Sequence, residues 1–431
     1  MNLYKRTTQT YKFETKPLKL LLLSSPQYGA NEPGNERTDQ KQSRYIRITD
    51  IDENGLLGKG LGATADVVES RYILENNDLL IARSGNTVGK SYLHKTNEVD
   101  SECFFAGYLL RFKINQNIIS PDYLFYFTQL TVYRNWIKAI QRPTGQPNVN
   151  AEEYRSLIVP IPPIDVQQQI VEGMAKEYQV KRKKEADAQA LLDSIDGYLL
   201  AELSITLPPE PDNTIQNRLF RVARRQVSGG RFDPISYSKE RVDALDAVNS
   251  SKYQLQRLHN IVSFPKIVFS YNPNLLPYLG LENIESNTGF YVETTEKENF
   301  GSALYFDECQ VLFPKLRPYL NKIYHSISVG ICSTEFVILQ PKPLINSAFL
   351  ASFLRSKAVL AQTKHLSSGN TLPRLQTEDT RRLLIPVPPL DLQHQLVETI
   401  STIRQQAQTL RAEAQREFAE AKQEIERLIL G

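Results

Sequence analysis

The most regular hydrophobic pattern in the chain lies close to its C-terminus. Apolar residues recur there in steps of three and four, which is the spacing of a coiled-coil stripe. Two consecutive steps of four, around Ala414, indicate a stutter. The pattern predicts one long amphipathic helix. Its apolar stripe consists of Leu396, Ile400, Ile403, Ala407, Leu410, Ala414, Phe418, Ala421, Ile425 and Leu428.

A second, less regular helical pattern lies near the middle of the chain and ends before Pro208-Pro209. Its centre, residues 181–184, is the basic run KRKK. We interpret this run as a solvated or partner-facing helix face, with phosphate contact as the alternative. A long amphipathic helix leaves its stripe exposed to water unless it pairs. We therefore expect the two helices to pair antiparallel, with separate docking as the alternative. The apolar positions of this helix are Ile170, Met174, Ala188, Leu191, Ile195 and Leu199.

The same sequence precedes both helices. Residues 157–172, LIVPIPPIDVQQQIVE, return without a gap as residues 383–398, LLIPVPPLDLQHQLVE, 226 positions further on. The proline pairs favour an extended approach, and Asp165 and Asp391 then stand where a helix N-cap is expected. Two tandem halves predict two similar surfaces related by an approximate symmetry axis. This arrangement favours a bivalent binding protein over a single catalytic pocket.

The repeat divides the chain into four parts: residues 1–150, 151–207, 208–375 and 376–431. The first and third parts mix short strand-like runs with turns and helical stretches, and they share motifs around Tyr45 and Tyr278. Leu20–Leu23 is predicted to be a buried strand. The chain is therefore predicted to be α+β, with two mixed α/β globular domains in a pseudo-two-fold arrangement. Two long antiparallel coiled-coil helices separate these domains.

Bulk composition places few further limits on function. The chain has 431 residues, 41% of them hydrophobic and 23% charged, with a net charge of +3. This composition is typical of a globular protein, and the small net charge permits a polyanionic partner only if the basic residues cluster. Three cysteines and five histidines show neither metal-ligand nor disulfide spacing. We expect a cytoplasmic protein with no metal, no membrane span and no signal peptide.

Each globular part contains a basic, polar turn directly after a short apolar strand, at residues 83–90 and at residues 315–322. Arginine can pair bidentately with guanine and asparagine with adenine, while hydroxyl groups suit phosphates. A solvated hairpin loop is the alternative reading. The candidate DNA-binding residues in these turns are Arg83, Ser84, Asn86, Thr87 and Lys90, and Lys315, Arg317, Tyr319 and Lys322.

A second loop precedes each Pro-Pro signature, and both copies are rich in glycine, proline and amide side chains. A domain-closing turn is the alternative reading, but the duplication of both loops favours nucleic-acid binding. The candidates here are Arg142, Thr144, Gln146 and Asn148 in the first copy, and Ser368, Asn370 and Arg374 in the second.

No catalytic motif emerges from the sequence. Residues 58–62, GKGLG, lack the Walker ending, and residues 271–274, YNPN, lack the second proline and the aromatic residue of an adenine methyltransferase motif. We therefore predict a protein that is not an enzyme and that binds no cofactor of its own.

Taken together, the two Pro-Pro signatures and the variable segments before them resemble the specificity subunit of type I restriction-modification systems. Residues 231–237, RFDPISY, resemble the opening of a target recognition domain in that family. The resemblance implies that each globular part reads one half of a split, asymmetric DNA target from the major groove. It also implies that the helices fix the gap between the half-sites and dock two modification subunits. Those partners would carry S-adenosylmethionine and methylate adenine, and restriction subunits could join.

Two other classes of protein remain as alternatives. The chain could be a structural adaptor that uses its coiled coil to assemble proteins without DNA, or a stand-alone methyltransferase or nuclease. A steep salt dependence of DNA binding by the assembled complex distinguishes the specificity subunit from the adaptor. Methyl transfer by the isolated chain would reveal the enzyme.

Overall fold

The computed structural model describes residues 10–58, 60–141, 147–209, 211–212, 214–219, 221, 237–270, 276–294, 302–364, 366–367 and 372–431. The chain divides into two compact units. The first unit consists of residues 1–185 and 411–431, and the second unit consists of residues 186–410. Each unit therefore contains one part of each long helix.

Both predicted long helices are present. The first long helix spans Ile164–Glu202 and the second long helix spans Leu390–Ile429. The prediction that Asp165 and Asp391 are N-caps was wrong by two residues, because each helix begins directly after its proline pair. A proline has the φ that a helix start needs, so the helix can begin at the next residue. Each aspartate lies instead in the first turn, where its charge interacts favourably with the helix dipole.

The first unit contains two four-stranded sheets and a two-stranded ribbon. One sheet has the order β2-β9-β6-β7 and is antiparallel. The other has the order β3-β5-β4-β8, with β4 and β8 parallel, and β1 pairs with β10 as the ribbon. The strands are β1 Thr15–Pro17, β2 Gln27–Tyr28, β3 Asn35–Glu36, β4 Arg44–Ile46, β5 Ala63–Thr64, β6 Leu79–Ala82, β7 Ser91–Leu93, β8 Cys103–Phe105, β9 Leu109–Phe112 and β10 Ile158–Pro160.

The helices of the first unit pack on the antiparallel sheet and share its core. The predicted strand at Leu20–Leu23 was wrong, because this stretch overlaps the 3-10 turn Leu18–Leu21. Leu18 and Leu21 are buried at a spacing of three, whereas Leu20 and Leu23 are 56% and 65% exposed. The short α-helices are Pro121–Phe127, Thr131–Ile140 and Ala151–Arg155, and the other 3-10 helices are Ile48–Asp50 and Ser70–Tyr72.

The second unit repeats this plan with one difference. Its antiparallel sheet has the order β12-β19-β16-β17, which matches the first unit strand for strand. In its mixed sheet, β13-β15-β18-β14, the strand β15 lies beside β18, whereas the corresponding β5 lies beside β4. The strands are β11 Gln254–Arg257, β12 Val262–Ser263, β13 Val268–Ser270, β14 Tyr278–Leu279, β15 Ser302–Phe306, β16 Val311–Pro314, β17 Tyr324–His325, β18 Gly330–Cys332, β19 Phe336–Pro341 and β20 Leu384–Val387, where β20 pairs with β11.

In the second unit the helices Lys239–Asn249, Leu258–Ile261, Ser347–Leu354 and Lys357–Thr363 share the core of the antiparallel sheet with parts of both long helices. The short α-helices are Ile215–Arg218, Lys239–Asn249, Leu258–Ile261, Ser347–Leu354, Lys357–Thr363 and Thr377–Arg381, and the 3-10 helices are Leu281–Asn283 and Pro318–Leu320.

The long helices pair antiparallel in each unit. In the first unit the ring of Tyr178 meets the ring of Phe418 edge-on, with 5.2 Å between centroids, and Lys184 forms ion pairs with Glu413 and Glu417. In the second unit Ala188 and Leu192 form a buried cluster with Ala407, while Leu199 and Leu203 share a core with Leu396 and Ile400. The predicted α+β class and the antiparallel helix pairing are therefore confirmed.

Most of the predicted stripe of the second long helix is buried, but its last position was wrong. Leu428 is 49% exposed and Ile429 is fully buried, because a step of four from Ile425 reaches Ile429. On the first long helix the sequence pattern missed Tyr178 and Lys181, which are also buried. A tyrosine and a lysine interrupt the apolar pattern there, although both side chains pack into the seam, which is the contact surface between the two long helices.

A buried glutamine of the repeated signature attaches each long helix to its globular core. In the first unit the backbone N–H of Ser120 donates to Gln167 Oε1 at 2.8 Å, and Gln167 Nε2 donates to the first carbonyl of its own proline pair. In the second unit the N–H of Asn346 donates to Gln393 Oε1 at 2.7 Å, and Gln393 Nε2 donates to the carbonyls of Leu344 and Pro388. The signature thus works as a repeated structural joint.

Candidate nucleic-acid interface

In the first unit the two predicted loops lie side by side. The N–H of Gly85 donates to the carbonyl of Pro147 at 2.9 Å, and the N–H of Val149 donates to the carbonyl of Arg83 at 2.8 Å. Ser84 and Asn148 form the bridging pair between these two hydrogen bonds. Two loops about sixty positions apart in sequence therefore form one continuous edge.

The second unit joins its two loops in the same way. The N–H of Arg317 donates to the carbonyl of Pro373 at 2.8 Å, and the N–H of Leu375 donates to the carbonyl of Lys315 at 2.9 Å. Leu316 and Arg374 form the bridging pair. We call the two edges the first and second paired loops, meaning residues 83–90 with 147–149 and residues 315–322 with 373–375. The candidates Arg142, Thr144, Gln146, Ser368 and Asn370 lie outside the described residues.

Both turns use a left-handed backbone at the same two positions. Gly85 and Gly89 have φ of 79° and 87° in the first unit, and Arg317 and Asn321 have φ of 47° and 53° in the second. A Cβ added to Gly89 would lie 2.9 Å from the side chain of Ile137, so this position also needs close packing space. Glycine adopts such angles without cost, whereas Arg317 carries backbone strain.

Two buried tyrosines hold the base of the first turn. The hydroxyl of Tyr154 donates to the carbonyl of Ala82 at 2.7 Å, and that of Tyr133 donates to the carbonyl of Gly89 at 3.1 Å. Burial raises the pKa of both hydroxyls above the ordinary value of tyrosine. They therefore remain proton donors throughout the physiological pH range and fix the turn on the sheet.

The first paired loops present one arginine and two amides. Arg83 places its guanidinium 4.9 Å from the ring centroid of Tyr28, which is 43% exposed. Arg83 Nε has no hydrogen-bond partner among the described residues. Asn86 and Asn148 are exposed, whereas Thr87 is half-buried and Ser84 is buried. The edge therefore presents a half-buried cation stacked on Tyr28 and two exposed amide groups.

Lys90 and Lys322 turn inward at corresponding ends of the two turns. Lys90 Nζ donates to the carbonyl of Ile51 at 3.0 Å and pairs with Glu53 at 3.0 Å. Lys322 Nζ donates to the carbonyl of Leu281 at 2.9 Å. In both units the lysine therefore ties the turn to the neighbouring 3-10 segment.

The second paired loops present a different set of side chains. Arg317 and Tyr319 are exposed, and Lys315 is half-buried. Arg374 forms a two-pronged ion pair with Glu335, with N–O distances of 3.0 and 2.9 Å. The Arg374 hydrogen bonds hold the pKa of Glu335 below its usual value, and the same bonds raise the pKa of Arg374.

Sequence reasoning missed three residues at these edges: Tyr28, Tyr108 and Glu335. The N–H of Arg83 donates to the carbonyl of Tyr108 at 3.0 Å, and the N–H of Lys315 donates to the carbonyl of Glu335 at 2.8 Å. Tyr108 and Glu335 thus occupy equivalent places, each just before an apolar strand, β9 or β19. The position directly before the apolar strand is visible in the sequence and could have identified both residues.

The basic run of the first long helix does not form one open surface. Lys181 is buried, donates to Asn54 Oδ1 at 3.0 Å and lies 5.1 Å from the ring centroid of Phe418. Lys184 is held by its two glutamate partners, so Arg182 and Lys183 are the exposed members of the run. The interpretation of the run as a solvated or partner-facing helix face was therefore wrong at Lys181, which is buried.

Within the part of the chain that the structure describes, no group of histidine, cysteine, aspartate or glutamate side chains could hold a metal ion. In the same residues no helix combines the length and the apolar character that a membrane span requires. All three cysteines are free thiols, and burial raises the pKa of Cys103 to about 11 and that of Cys332 to about 12.

Comparison with known proteins agrees with this duplicated architecture. The family model described as "Type I restriction modification DNA specificity domain" matches residues 34–188 and 269–417, more than half of the chain. The EcoDI specificity subunit of Escherichia coli is 27% identical over 164 residues, which is 37% of this chain and 36% of that protein. The MjaVIII specificity subunit of Methanocaldococcus jannaschii is 25% identical over 104 residues, 24% of this chain and 23% of that protein.

The chain thus aligns with about a third or less of the length of these curated relatives. The solved type I restriction-modification S subunit from M. genitalium aligns with 100% of this chain and 99% of its own, at 15% identity and a TM-score of 0.42. The family prediction is confirmed by the model that matches both halves: the chain belongs to the family of type I restriction-modification DNA specificity domains.

Proposed function

We propose that this chain is the DNA-recognition subunit of a type I restriction-modification complex and that it reads a two-part, asymmetric target. Each unit would read one part with its paired loops. The observation that supports this proposal is the repeated bridge between the two loops, which builds the same loop edge in both units: Ser84 pairs with Asn148, and Leu316 pairs with Arg374. A similar frame with different exposed side chains suits two readers of different base sequences.

The structure divides the candidate residues into two roles within this proposal. Asn86 and Asn148 in the first unit, and Arg317 and Tyr319 in the second, are exposed and can reach DNA, and the half-buried Arg83 lies beside them on the first edge. We assign Lys90 and Lys322 a positioning role, because their ammonium groups bind backbone carbonyls. Ser84, Thr87 and Lys315 would support the edges. Arg374 would contact phosphate or base only after exchanging Glu335 for DNA.

The proposal places the chemistry in partner subunits. Membership of the specificity-domain family supports a chain that is not an enzyme, whose two long helices dock two modification subunits. S-adenosylmethionine would bind in those partners, and restriction subunits could join the same complex. Three free thiols, two of them buried, support a cytoplasmic location.

DNA binding by the complex of this chain with its modification subunits tests the proposal. Fluorescence anisotropy with a selected target should show nanomolar-range binding whose logarithm falls steeply with the logarithm of salt concentration. Arg83→Ala should weaken binding without changing the elution volume of the complex on gel filtration. Binding that is weak, independent of sequence and insensitive to Arg83→Ala would contradict it.

A non-DNA structural adaptor is the second candidate function. The antiparallel pairing of the long helices favours it, because a paired helix rod can assemble proteins without DNA. The same complex would then form, but its affinity for DNA would show no selected sequence. The anisotropy series therefore distinguishes the two functions in one experiment.

A further inference from the structure

The second unit contains a small cavity beside the second long helix. Its volume is about 80 Å³, and its polar lining includes Arg355, Arg404, Ser356, Asp193 and Asp196. Arg404 belongs to the second long helix, and Arg355 ends the helix Ser347–Leu354 of the globular core. The cavity therefore lies where the long helix meets the core of its own unit.

The two arginines of this cavity use few of their hydrogen-bond donors. Arg355 Nη1 donates to the carbonyl of Ile323 at 3.1 Å, and Arg404 Nη1 donates to the carbonyl of Thr288 at 2.6 Å. A guanidinium has five N–H donors. Among the described residues no carboxylate lies within ion-pair distance of either guanidinium, although the charge of Glu285 raises the pKa of Arg404. Two cations thus share one cavity with donors to spare.

The local environment disfavours these two positive charges. Burial, together with the charge of Arg404, lowers the pKa of Arg355 to about 9. Burial also lowers the pKa of Arg404 to about 10. Both side chains are still protonated at neutral pH, so the unit carries two half-buried cations without a carboxylate partner, of which Arg404 lies over the ring of Phe290 at 4.2 Å from its centroid. An anion in the cavity would offset that cost.

The other polar groups of the cavity are compatible with an anion. Ser356 Oγ is buried and has no hydrogen-bond partner among the described residues, so it can donate to a ligand. The two carboxylates are already engaged: Asp196 accepts from the N–H of Lys357 at 2.9 Å, and Asp193 accepts from Gln189 Nε2 at 2.8 Å. Burial raises the pKa of Asp196 above its ordinary value.

We infer that this cavity binds a small tetrahedral oxyanion of the phosphate or sulfate class, held by Arg355, Arg404 and Ser356. Guanidinium groups match such oxygens with paired, charge-assisted hydrogen bonds. One water molecule accounts for about 30 Å³ of liquid volume, so the cavity has room for one such ion. The bound ion fastens the second long helix to the globular core of the second unit.

The first unit supplies a control, because the repeat places uncharged residues at the corresponding positions. Gln129 and Tyr178 lie 226 residues before Arg355 and Arg404. Gln129 Nε2 donates to Ser91 Oγ at 2.8 Å, and the hydroxyl of Tyr178 donates to the carbonyl of Asn54 at 2.9 Å. The oxyanion site is therefore specific to the second unit.

Isothermal titration calorimetry of the full chain, in complex with its modification subunits, with inorganic phosphate at constant ionic strength tests this inference. Wild type should bind one phosphate in a saturable reaction, beside any weak sites on DNA-facing surfaces. The double variant Arg355→Gln/Arg404→Tyr carries the residues of the first unit and should lose that one equivalent. The control Tyr178→Phe should retain it.

A second measurement protects the test against misfolding of the double variant. Arg404→Lys keeps the charge but loses the fork geometry, and it should bind phosphate about tenfold more weakly with unchanged far-ultraviolet circular dichroism. Absence of a saturable phosphate site in the wild type would overturn the inference. Equal phosphate binding by wild type, Arg404→Lys and the double variant would also overturn it.

Discussion

The first and second paired loops differ in how they hold the same backbone. The first turn has glycine at both left-handed positions, Gly85 and Gly89, whereas the second has Arg317 and Asn321 there. In the first turn the two glycines adopt these angles without strain, but they contribute no side chain to the edge. In the second, the strained position itself carries a long cationic side chain. A residue kept at an unfavourable φ costs stability, which suggests that its side chain is placed for binding.

The helix seams differ in the same sense. In the first unit Lys181 and Lys422 flank the ring of Phe418, at 5.1 and 4.5 Å from its centroid. In the second unit the corresponding seam positions are Ala407, Asp196 and Leu192, which lie 226 residues after or before them. The helix pairing is thus repeated in both units, while the side chains that it buries differ. Substitutions at equivalent positions can therefore show which features both units need and which belong to one unit alone.

Replacement of the signature glutamines should have the largest effect on stability. Gln167→Ala leaves a buried N–H and a buried carbonyl unpaired, and Gln393→Ala leaves one N–H and two carbonyls unpaired. At about 1–3 kcal/mol for each buried group, both variants should lose several kcal/mol, with Gln393→Ala losing at least as much. Urea unfolding followed by circular dichroism measures the change. Gln168→Ala and His394→Ala, at exposed positions, are the matched controls. Equal stability of all four variants would contradict the structural role of Gln167 and Gln393.

Acid should destabilise both units through two histidines, the buried His94 and the half-buried His325. Burial lowers the pKa of His94 and of His325 to about 4, below the unfolded value of 6.5. The unfolded chain therefore binds more protons between pH 6.5 and pH 4, so stability falls as the pH drops through that window. At pH 5 the loss should be about 2 kcal/mol for His94 and less for half-buried His325. His94→Gln should flatten the pH dependence of urea unfolding, whereas exposed His259→Gln should leave it unchanged.

DNA affinity should respond unequally to the two basic residues that begin the turns. Arg83→Ala removes a half-buried guanidinium group and should weaken binding about tenfold or more. Lys315→Ala removes a half-buried point charge and should weaken binding less, while lowering the salt slope by about one. Anisotropy titrations at three salt concentrations measure both. Exposed Arg182→Ala on the first long helix is the control, and a larger loss there than at Arg83 would contradict the proposed edge.

The smallest effect should come from exchanging residues at the left-handed positions. Arg317→Gly relieves backbone strain and should raise the free energy of unfolding by up to about 1 kcal/mol, while weakening DNA binding. Gly85→Ala introduces strain at the equivalent position and should lower that free energy by about 1 kcal/mol. Opposite signs in thermal unfolding support the comparison. Stabilisation by both substitutions would contradict it.

The repeat made much of this architecture predictable from sequence. The spacing of apolar residues predicted the long helices, and the duplicated Pro-Pro signature predicted two similar tandem halves. The loops were found because Arg83 and Lys315 each follow a short apolar strand. Local sequence could not show that each turn would bridge to a second loop, because that contact depends on tertiary packing.

The residues that the sequence patterns missed or misassigned have polar groups whose surroundings depend on tertiary packing. Lys181 and Tyr178 carry polar atoms, so a pattern based on hydrophobicity excludes them, yet their long apolar stems pack in the seam. Lys90 and Lys322 have the composition of DNA contacts, but their amino groups bind carbonyls inside the unit. The direction in which a side chain points depends on neighbours far away in sequence.

The central claim is that each unit reads its own part of the DNA target with its paired loops. Single-molecule sequencing of methylated adenines, in cells that express this chain with its modification subunits, tests it most directly. Wild type should give one motif with two specified parts and an unspecified gap. Arg83→Ala should relax the specified bases in one part only, and Arg317→Ala those in the other only. A continuous motif, or relaxation of both parts by either single substitution, would contradict the account.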